Sequence, residues 1–537
     1  MERKEFIKII SFFTIGSGIT YSGYNIFRET KEPLKSKLAI TLDQQKRIIN
    51  KITLGLPHQK IESLLVDGYE KAIRKLLVNE HLKSEPINFE FENDYYTPIG
   101  KTWINSPNSY NGKYFEQYRK KSLRAWLLEH NYSNTSYLQN NMLQFWLNYF
   151  SISDIVDHRY EFSHIKMLYN NCFGNFKRII ENITIDPAML RFLSGFVNNR
   201  LHPNENYARE LLELYTIGKP IHKSDYYIES DVREIARSLS GWKDQGWYTS
   251  DPKQKVESYF NIHDHDIGEK KLSKFFSHYS LSNNEEKEYK LIISQLFKKD
   301  DVSINICSKL YRWFCQDEIN DYTFKNLILP ISKKLKDSNY ELNEVLFDLF
   351  TSDIFIKNSL DDYRIKNPLQ FIFSHLSFFP INESKDQLQY HQTWSFLFKI
   401  LSEMGMEILK PPSVGGWKAL YQAPNYSKLW INSATLAARQ NFISNLLNPN
   451  SFISINMKRF LSQSKTEEPK ELISYINSSF FQNQLSEETV KHANVLLLEG
   501  EDLNKKNLIK VTPDNDWKNN VPIVLNFLLN LPSNNLI

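Results

Sequence analysis

Apolar side chains recur every three or four positions through most of this chain, which is the spacing of amphipathic helices. The repeat begins near Asp43, breaks near Gly55 and Pro57, and returns in segments such as "VSINICSKLYRWFC". Residues 136–150 are apolar on most sides, which predicts a buried helix. Strand-like alternation is rare, and glycine is scarce, at 17 of 537 residues. The sequence therefore predicts a large, mostly α-helical protein with little or no β-sheet.

Two long segments lack helical periodicity and predict irregular insertions. Residues 84–116 are rich in Asn, Pro and Tyr, and residues 243–282 are polar and aromatic. A guide of about 150 residues per domain gives roughly two to four units for this length. We divide the chain into an export signal or N-terminal anchor (1–27), a linker (28–42), a helical body (43–450) and a C-terminal helical extension (451–537).

The first residues are typical of a targeting segment. Arg3, Lys4 and Lys8 precede a moderately apolar stretch from Ile9 to Tyr21. "RKEFIK" resembles a twin-arginine export signal in which Lys4 replaces the second arginine. No later stretch reaches the roughly 18 apolar residues that a membrane helix needs. We predict an exported, periplasmic or extracellular protein; an uncleaved anchor and a short N-terminal helix of a cytosolic protein are the alternatives.

Charge and cysteine content narrow the function classes. The 66 basic and 62 acidic residues give a formal charge of +4. Without a clustered basic stripe, this balance gives no reason to expect nucleic acid as a partner. Cys172, Cys307 and Cys315 lack zinc-binding spacing and are predicted to be buried thiols. The sequence has no nucleotide-binding or haem-binding motif. A divalent metal ion is a possible cofactor that no motif supports.

The segment "HPNENYARELLELYTIG", residues 202–218, combines a helix with many polar groups. Asn204 is a good N-cap, and the polar side chains that follow share about 140° of the helix surface at 100° per residue. The polar side chains are Glu205, Asn206, Arg209, Glu210 and Glu213. Arg209 has the spacing to pair with both Glu205 and Glu213. Three carboxylates then face one guanidinium, which fits a solvated face, a buried polar network, or a metal or acid–base site.

A second candidate for chemistry is "HDHD", residues 263–266. His265 and Asp266 have metal-ligand character in a predicted loop. Asp266 could equally orient a histidine or cap a turn. With Glu210 and Glu213 they could complete a mixed oxygen and nitrogen site.

A third candidate is the segment "PPSVGGWKALYQAPNYSKLWINS", which we call the 411–433 loop. Its prolines stiffen it, and Trp417, Tyr421 and Trp430 are predicted to be exposed, which suits carbohydrate or protein recognition. A loop held in place by its own tryptophans is the alternative. The binding candidates are Asn204, Asn206, Trp417, Trp430 and Asn432.

These segments together resemble the bacterial family known as domain of unknown function 1800 (DUF1800). Residues 204–218 match its run of Asn-Glu-Asn-aromatic-Ala-Arg-Glu-Leu closing in Gly. "DPAML", "DVREIARSLSGW", "HDIGEKKL" and the 411–433 loop match further family motifs in the same order. The resemblance covers about residues 43–442.

One departure from the family pattern concerns "FWLNYF", residues 145–150. The family usually has Phe-Trp-His-Asn-His-Phe there, so Leu147 and Tyr149 replace two histidines. The resemblance brings no established activity. It implies an exported bacterial protein, often encoded beside a second exported family, DUF1501, whose fold is thought to resemble alkaline phosphatases and sulfatases; that family is a possible partner.

Two functional hypotheses follow. The first is an exported binding or accessory protein in envelope or extracellular processing. The alternative is a hydrolase, with or without a metal, whose candidate catalytic residues are Glu205, Arg209, Glu210, Glu213, His265 and Asp266. Ion pairing of the glutamates with arginines such as Arg237 would weaken the enzyme hypothesis.

Overall fold

The computed structural model describes residues 38–219, 226–361, 363–466, 468–499 and 517–537. Helices dominate these residues, which confirms the predicted mostly α-helical fold. The predicted export segment, residues 1–27, lies outside the described residues, as do residues 28–37 of the predicted linker.

The first group of helices carries the 202–218 segment. Good caps start several of them: Thr41 forms a capping box with Gln44, and Asp186 caps a helix that begins with Pro187. The helices of this group are α1 (Leu42–Ile52), α2 (His58–Leu65), α3 (Tyr69–Leu76), α4 (Glu116–Ser133), α5 (Tyr137–Tyr149), α6 (His158–Asn170), α7 (Phe176–Thr184), α8 (Pro187–Phe192), α9 (Glu205–Glu210) and α10 (Glu229–Ser238).

The second group follows the 243–282 insertion and continues to the last described residues. A π-helical turn, Phe324–Ile328, joins two of its members. The helices are α11 (Glu288–Leu296), α12 (Asp300–Phe314), α13 (Asp321–Thr323), α14 (Leu329–Asp337), α15 (Leu342–Thr351), α16 (Asp353–Asp361), α17 (Pro368–Phe378), α18 (Gln387–Glu403), α19 (Ser433–Leu447), α20 (Met457–Ser464), α21 (Pro469–Ser479), α22 (Glu487–Glu499) and α23 (Val521–Leu529).

Strands are short and lie in the two predicted insertions or at their borders. Three antiparallel two-stranded ribbons form there. They are β1 (Ser109–Tyr110) with β2 (Lys113–Tyr114), β3 (Trp242–Gln245) with β4 (Glu257–Phe260), and β5 (Lys270–Lys271) with β6 (Ser280–Leu281).

Buried charges fasten the two insertions to the helices. Arg119 of α4 pairs with Asp94 of the first insertion at 3.1 Å, and both side chains are fully buried. Arg159 of α6 pairs with Asp157 and donates to the backbone oxygen of Gly246 in the second insertion at 2.6 Å. Both insertions are therefore ordered parts of the protein, covering the N-terminal helices.

One continuous hydrophobic cluster runs from α1 to α23. Near the end of the chain, residues 364–366 pair in an extended arrangement with residues 535–537, including a bond of 2.8 Å from the Lys366 N–H to the Asn535 oxygen. The three cysteines are free and buried, as predicted. Among the described helices, none is long and apolar enough to cross a membrane.

Candidate functional site

Asn204 and Asn206 hold the start of α9. The Asn204 side chain accepts from the Asn206 N–H at 2.9 Å, which confirms the predicted N-cap. Its amide also donates to the Ser194 oxygen at 2.9 Å, and the Asn206 amide donates to the Leu193 oxygen at 3.3 Å. Both predicted binding residues therefore anchor the helix to the turn that precedes it.

The helix does not end as a regular α-helix. Leu211–Tyr215 form a π-helical turn, a geometry that often marks functional sites. The wider turn leaves carbonyl groups that need other donors. Three side chains from α5 and α12 supply them: Lys309 donates to Leu214 at 2.7 Å, Asn305 to Thr216 at 2.8 Å, and Tyr149 to Tyr215 at 3.0 Å.

Tyr149 occupies one of the two positions where the family pattern has histidine. Its ring is buried, and the Lys309 ammonium lies 4.3 Å from the ring centroid. Burial, and then repulsion from Arg312, lowers the pKa of Lys309 to about 7. Leu147, at the other position, packs half-buried against the core. The tyrosine hydroxyl supports the π-turn, and the leucine contributes packing.

Arg209 forms the predicted ion-pair ladder and extends it. Its guanidinium lies 3.2 Å from Glu205, 3.9 Å from Glu213 and 2.8 Å from Glu229 of α10. The hydrogen bond that Arg209 donates to Glu229 raises the pKa of Arg209 above its usual range, and burial opposes this effect only in part. Arg209 therefore pairs with a carboxylate from α10 as well as with the two predicted from its own segment.

Glu205 and Glu213 each have a second basic partner. Glu205 lies 3.6 Å from Arg233, and Glu213 lies 3.6 Å from Lys219. Arg237, proposed from the sequence as a partner for these glutamates, pairs elsewhere. Two of the three predicted catalytic glutamates are therefore neutralised within the protein.

Glu210 is the exception. Within the described parts of the chain, its half-buried carboxylate makes no hydrogen bond or ion pair. Burial, and then repulsion from Glu213, raises the pKa of Glu210 above its usual range. Of the three glutamates on this face, Glu210 is therefore the one whose carboxylate has no basic partner among the described residues.

We expect Glu210→Gln to raise the free energy of unfolding slightly at pH 7, by less than about 1 kcal/mol. The raised pKa means that the folded state favours the neutral carboxyl, so stability from this group is lost as pH rises through the folded pKa. The gain should shrink as the pH falls from 7 to 4, because the Glu210 carboxyl is increasingly protonated. Urea denaturation at pH 4 and 7 measures it. The matched control Glu205→Gln removes a paired carboxylate and should give no gain; an equal gain there would contradict the assignment.

His265 and Asp266 take part in a different set of contacts. The Asp266 carboxylate pairs with Arg237 at 2.7 Å and accepts from the Gly268 N–H at 2.8 Å. His265 is buried, and its Nδ1 lies 2.8 Å from the Ser240 oxygen. These contacts are with α10, the turn after it and the loop of the motif itself, and neither residue pairs with Glu205, Glu210 or Glu213.

A buried polar cluster accounts for the spacing of "HDIGEK", residues 265–270. Glu288, the first residue of α11, lies 3.3 Å from His265 Nε2 and 2.7 Å from the Lys270 ammonium. All three side chains are fully buried. Sequence reasoning missed Glu288, because it opens an ordinary helix 18 residues beyond Lys270. The His-Asp motif therefore ties the second insertion to α10 and α11.

The described residues contain no group of three or more His, Cys, Asp or Glu side chains arranged to hold a metal ion. The hypothesis of a mixed site built from Glu210, Glu213, His265 and Asp266 required these residues to converge. The structure instead pairs Glu213 with Arg209 and Asp266 with Arg237, and it places His265 beside Glu288. Glu210 joins none of these pairs within the described residues.

The 411–433 loop packs against the end of α5. Asn148 accepts from the Trp417 N–H at 2.9 Å, and the Ser151 hydroxyl donates to the Val414 oxygen at 2.6 Å. Gly416 has a φ of +88°, and a Cβ there would lie 2.6 Å from the backbone oxygen of Asn148. The glycine therefore permits close approach of two backbones.

The aromatic residues of this loop are less accessible than the sequence predicted. Trp430 is only 6% exposed, so the prediction of an exposed Trp430 is wrong. Its ring packs against half-buried Trp417, with centroids 5.9 Å apart. Tyr421 remains 47% exposed. Asn432, a predicted binding residue, caps α19 by accepting from the Thr435 N–H at 3.0 Å. The tryptophans hold the loop in place.

The end of α5 thus joins two of the motifs: Tyr149 contacts the π-turn, and Asn148 contacts the 411–433 loop. Sequence reasoning assigned Asn148 no role of its own, since it stands between the two positions where histidines are replaced. Its presence between them, in a run that otherwise keeps the family pattern, was the available signal.

Comparison with known protein families supports the family resemblance seen in the sequence motifs. A family model described as "Protein of unknown function (DUF1800)" matches residues 47–533, which extends well beyond the motif-based resemblance. Neither a curated protein nor a solved structure matches the chain. Because the match spans nearly the whole sequence, the chain belongs to the DUF1800 family.

Proposed function

We propose that this DUF1800 protein is an exported binding or accessory factor of the envelope or extracellular space, and that it contacts its partner through the surface around Glu210. The basic and then apolar N-terminal sequence supports export. A protein of the DUF1501 family is the first partner to test, because the resemblance associates the two families.

The observation that carries the binding role is the distribution of charge on α9. Glu205 and Glu213 are paired with arginine or lysine, and the His-Asp motif is buried in a separate cluster. Glu210 retains a partly accessible carboxylate without a partner among the described residues. A carboxylate of this kind favours a basic group on a partner, since pairing would offset the cost of its partial burial.

A hydrolase remains the second candidate, supported by the raised pKa of Glu210. A carboxyl group that stays protonated closer to neutral pH suits general acid catalysis. In this version Glu210 donates the proton and the Arg209 ladder holds α9 in place. His265 and Asp266 do not contribute, because their contacts lie in the other cluster.

Affinity capture from the native envelope fraction tests the binding role. We expect one reproducible partner with the wild-type protein, and loss of that partner with Glu210→Gln, which keeps the side-chain shape. The control Glu229→Gln removes an exposed carboxylate that pairs with the same Arg209 and should retain the partner. Equal capture by all three proteins, or no reproducible partner, would contradict the proposal.

Elemental analysis of protein purified without chelator distinguishes a metal-dependent hydrolase from a metal-free hydrolase and from a binding protein. A stoichiometric divalent metal in the wild type that is lost in Glu210→Gln would support the metal-dependent version. Its absence from the wild-type protein would rule that version out.

A further inference from the structure

A second region of unbalanced charge lies far along the chain from the 202–218 segment, where α17 meets the last residues. Lys366 precedes α17 and is only 6% exposed, and Arg439 of α19 is 1% exposed. Arg439 donates to the backbone oxygen of Lys366 at 2.7 Å, so two buried cationic residues are in direct contact. Such a pair is unfavourable in a low-dielectric interior unless an anion accompanies it.

Among the described residues, no Asp or Glu side chain forms an ion pair with either cation. The Lys366 ammonium donates to one backbone oxygen, that of Asn534, at 3.0 Å, and Arg439 bonds to the Lys366 oxygen and the Asn535 side chain. His375 lies beside them; burial, and then Lys366, lower its pKa to about 3, so it is neutral and offers no negative charge.

A cavity of about 70 Å³ adjoins Lys366. One buried water needs roughly 10–15 Å³ on the same measure, so the cavity has room for a small polyatomic ion. Its described lining contains no Asp or Glu. Hydroxyl and amide groups line it instead, among them Asn50, Gln370, Ser479 and Ser533. Glu62 acts on His58 of the lining, and Lys46 already pairs with Glu62 at 2.6 Å.

Two lining polar atoms also have no hydrogen-bond partner among the described residues. These are Nδ1 of His58 and Oδ1 of Asn534, and Asn534 is itself 1% exposed. Buried polar atoms of folded proteins are almost always hydrogen-bonded. Oδ1 of Asn534 only accepts and therefore needs a donor such as water, whereas Nδ1 of His58 can donate in one tautomer. The cavity wall thus requires polar contents, and the buried cation Lys366 favours a negative charge among them.

We propose that this cavity is a binding site for a small oxyanion, carboxylate or tetrahedral, held by the ammonium of Lys366 and the surrounding hydroxyl and amide donors. The site is independent of the surface around Glu210 and does not depend on the function proposed for it. A carboxylate could belong to an organic acid, and a tetrahedral oxyanion to free phosphate or a phosphate ester. The shared chemistry is recognition of negatively charged oxygens by a buried cation.

Isothermal titration calorimetry of the full chain at pH 6.5 tests the site, with sulfate and acetate as probes and chloride as the reference. We expect saturable binding of one equivalent of sulfate or acetate, and at least tenfold weaker binding to Lys366→Met. The tighter of the two probes identifies the class of oxyanion. The control Lys399→Met removes a lysine that is 73% exposed and should bind like the wild type.

Two further measurements distinguish loss of the binding site from misfolding of the Lys366→Met variant. Ser479→Val changes the cavity wall and leaves Lys366 in place, and it should also weaken binding. Burial, and then Arg439, lower the pKa of Lys366 to about 7, so binding to the wild type should weaken more than tenfold between pH 6.5 and 8.5. Sulfate and acetate keep their charge over that range, while Arg439 stays cationic and His375 neutral. No binding by the wild type, or equal binding by Lys366→Met, would overturn the proposal.

Discussion

Replacing Lys270 with methionine is expected to lower the free energy of unfolding by about 3–5 kcal/mol, the usual cost of breaking a buried ion pair. The substitution removes the ammonium that lies 2.7 Å from Glu288 and leaves that carboxylate buried beside His265. Lys270 also donates to the backbone oxygen of Asp266, so the insertion loses a second attachment. Urea denaturation followed by circular dichroism measures the effect as a lower midpoint with an unchanged slope.

The neighbouring residue provides a matched control. Lys271 is 73% exposed and pairs with Glu269 at the surface, so Lys271→Met should change stability by less than about 1 kcal/mol. The double variant Lys270→Met, Glu288→Met should be more stable than Lys270→Met alone, because it removes the unpaired buried charge. If Lys270→Met were as stable as Lys271→Met, the His-Asp motif would not owe its spacing to this cluster.

The second large effect is expected for Gly416→Ala. A side chain at this position meets two penalties: a φ of +88° and a Cβ that would lie 2.6 Å from the Asn148 oxygen. The left-handed backbone alone costs an L-residue roughly 1–2 kcal/mol, and relief of the clash requires the 411–433 loop to move away from α5. We expect a total loss above about 2 kcal/mol, together with a change in tryptophan fluorescence, since Trp417 is bonded to Asn148.

Gly415 is the control because it differs from Gly416 in both respects. A Cβ at Gly415 would meet Tyr421 at 3.6 Å, an ordinary contact, and its φ is not in the left-handed region. Gly415→Ala should therefore leave stability nearly unchanged or raise it by about 0.5 kcal/mol through the unfolded state. Equal behaviour of the two variants would show that the loop does not depend on the close approach at Asn148.

Parts of the candidate site followed from sequence because they depend on near neighbours. The Asn204 cap links residues two positions apart, and the Arg209 ladder links residues four positions apart on one helix. The same spacing could not reveal Glu229, which reaches Arg209 from α10. For this reason the count of three carboxylates against one guanidinium was right for residues 202–218 and incomplete for the folded protein.

The π-turn shows a different limit. The sequence of residues 211–215 reads as the continuation of an ordinary amphipathic helix, and Gly218 as a regular end. The structure widens this turn and satisfies its carbonyls from Tyr149, Asn305 and Lys309. Nothing local distinguishes the two forms, because the donors that support the π-geometry come from other helices.

By itself, the sequence determined the helical class, the two irregular insertions, the buried free thiols and the family, since helical periodicity, capping and motif order are properties of local segments. Only the tertiary structure decided which charged groups of the motifs are already paired. His265 meets Glu288, and Trp417 meets Asn148 across 269 positions. The tertiary structure also leaves Glu210 without a partner among the described residues and places Lys366 beside Arg439. The physical reason is that the energy of a charge depends on its burial and its neighbours in space, which local patterns do not specify.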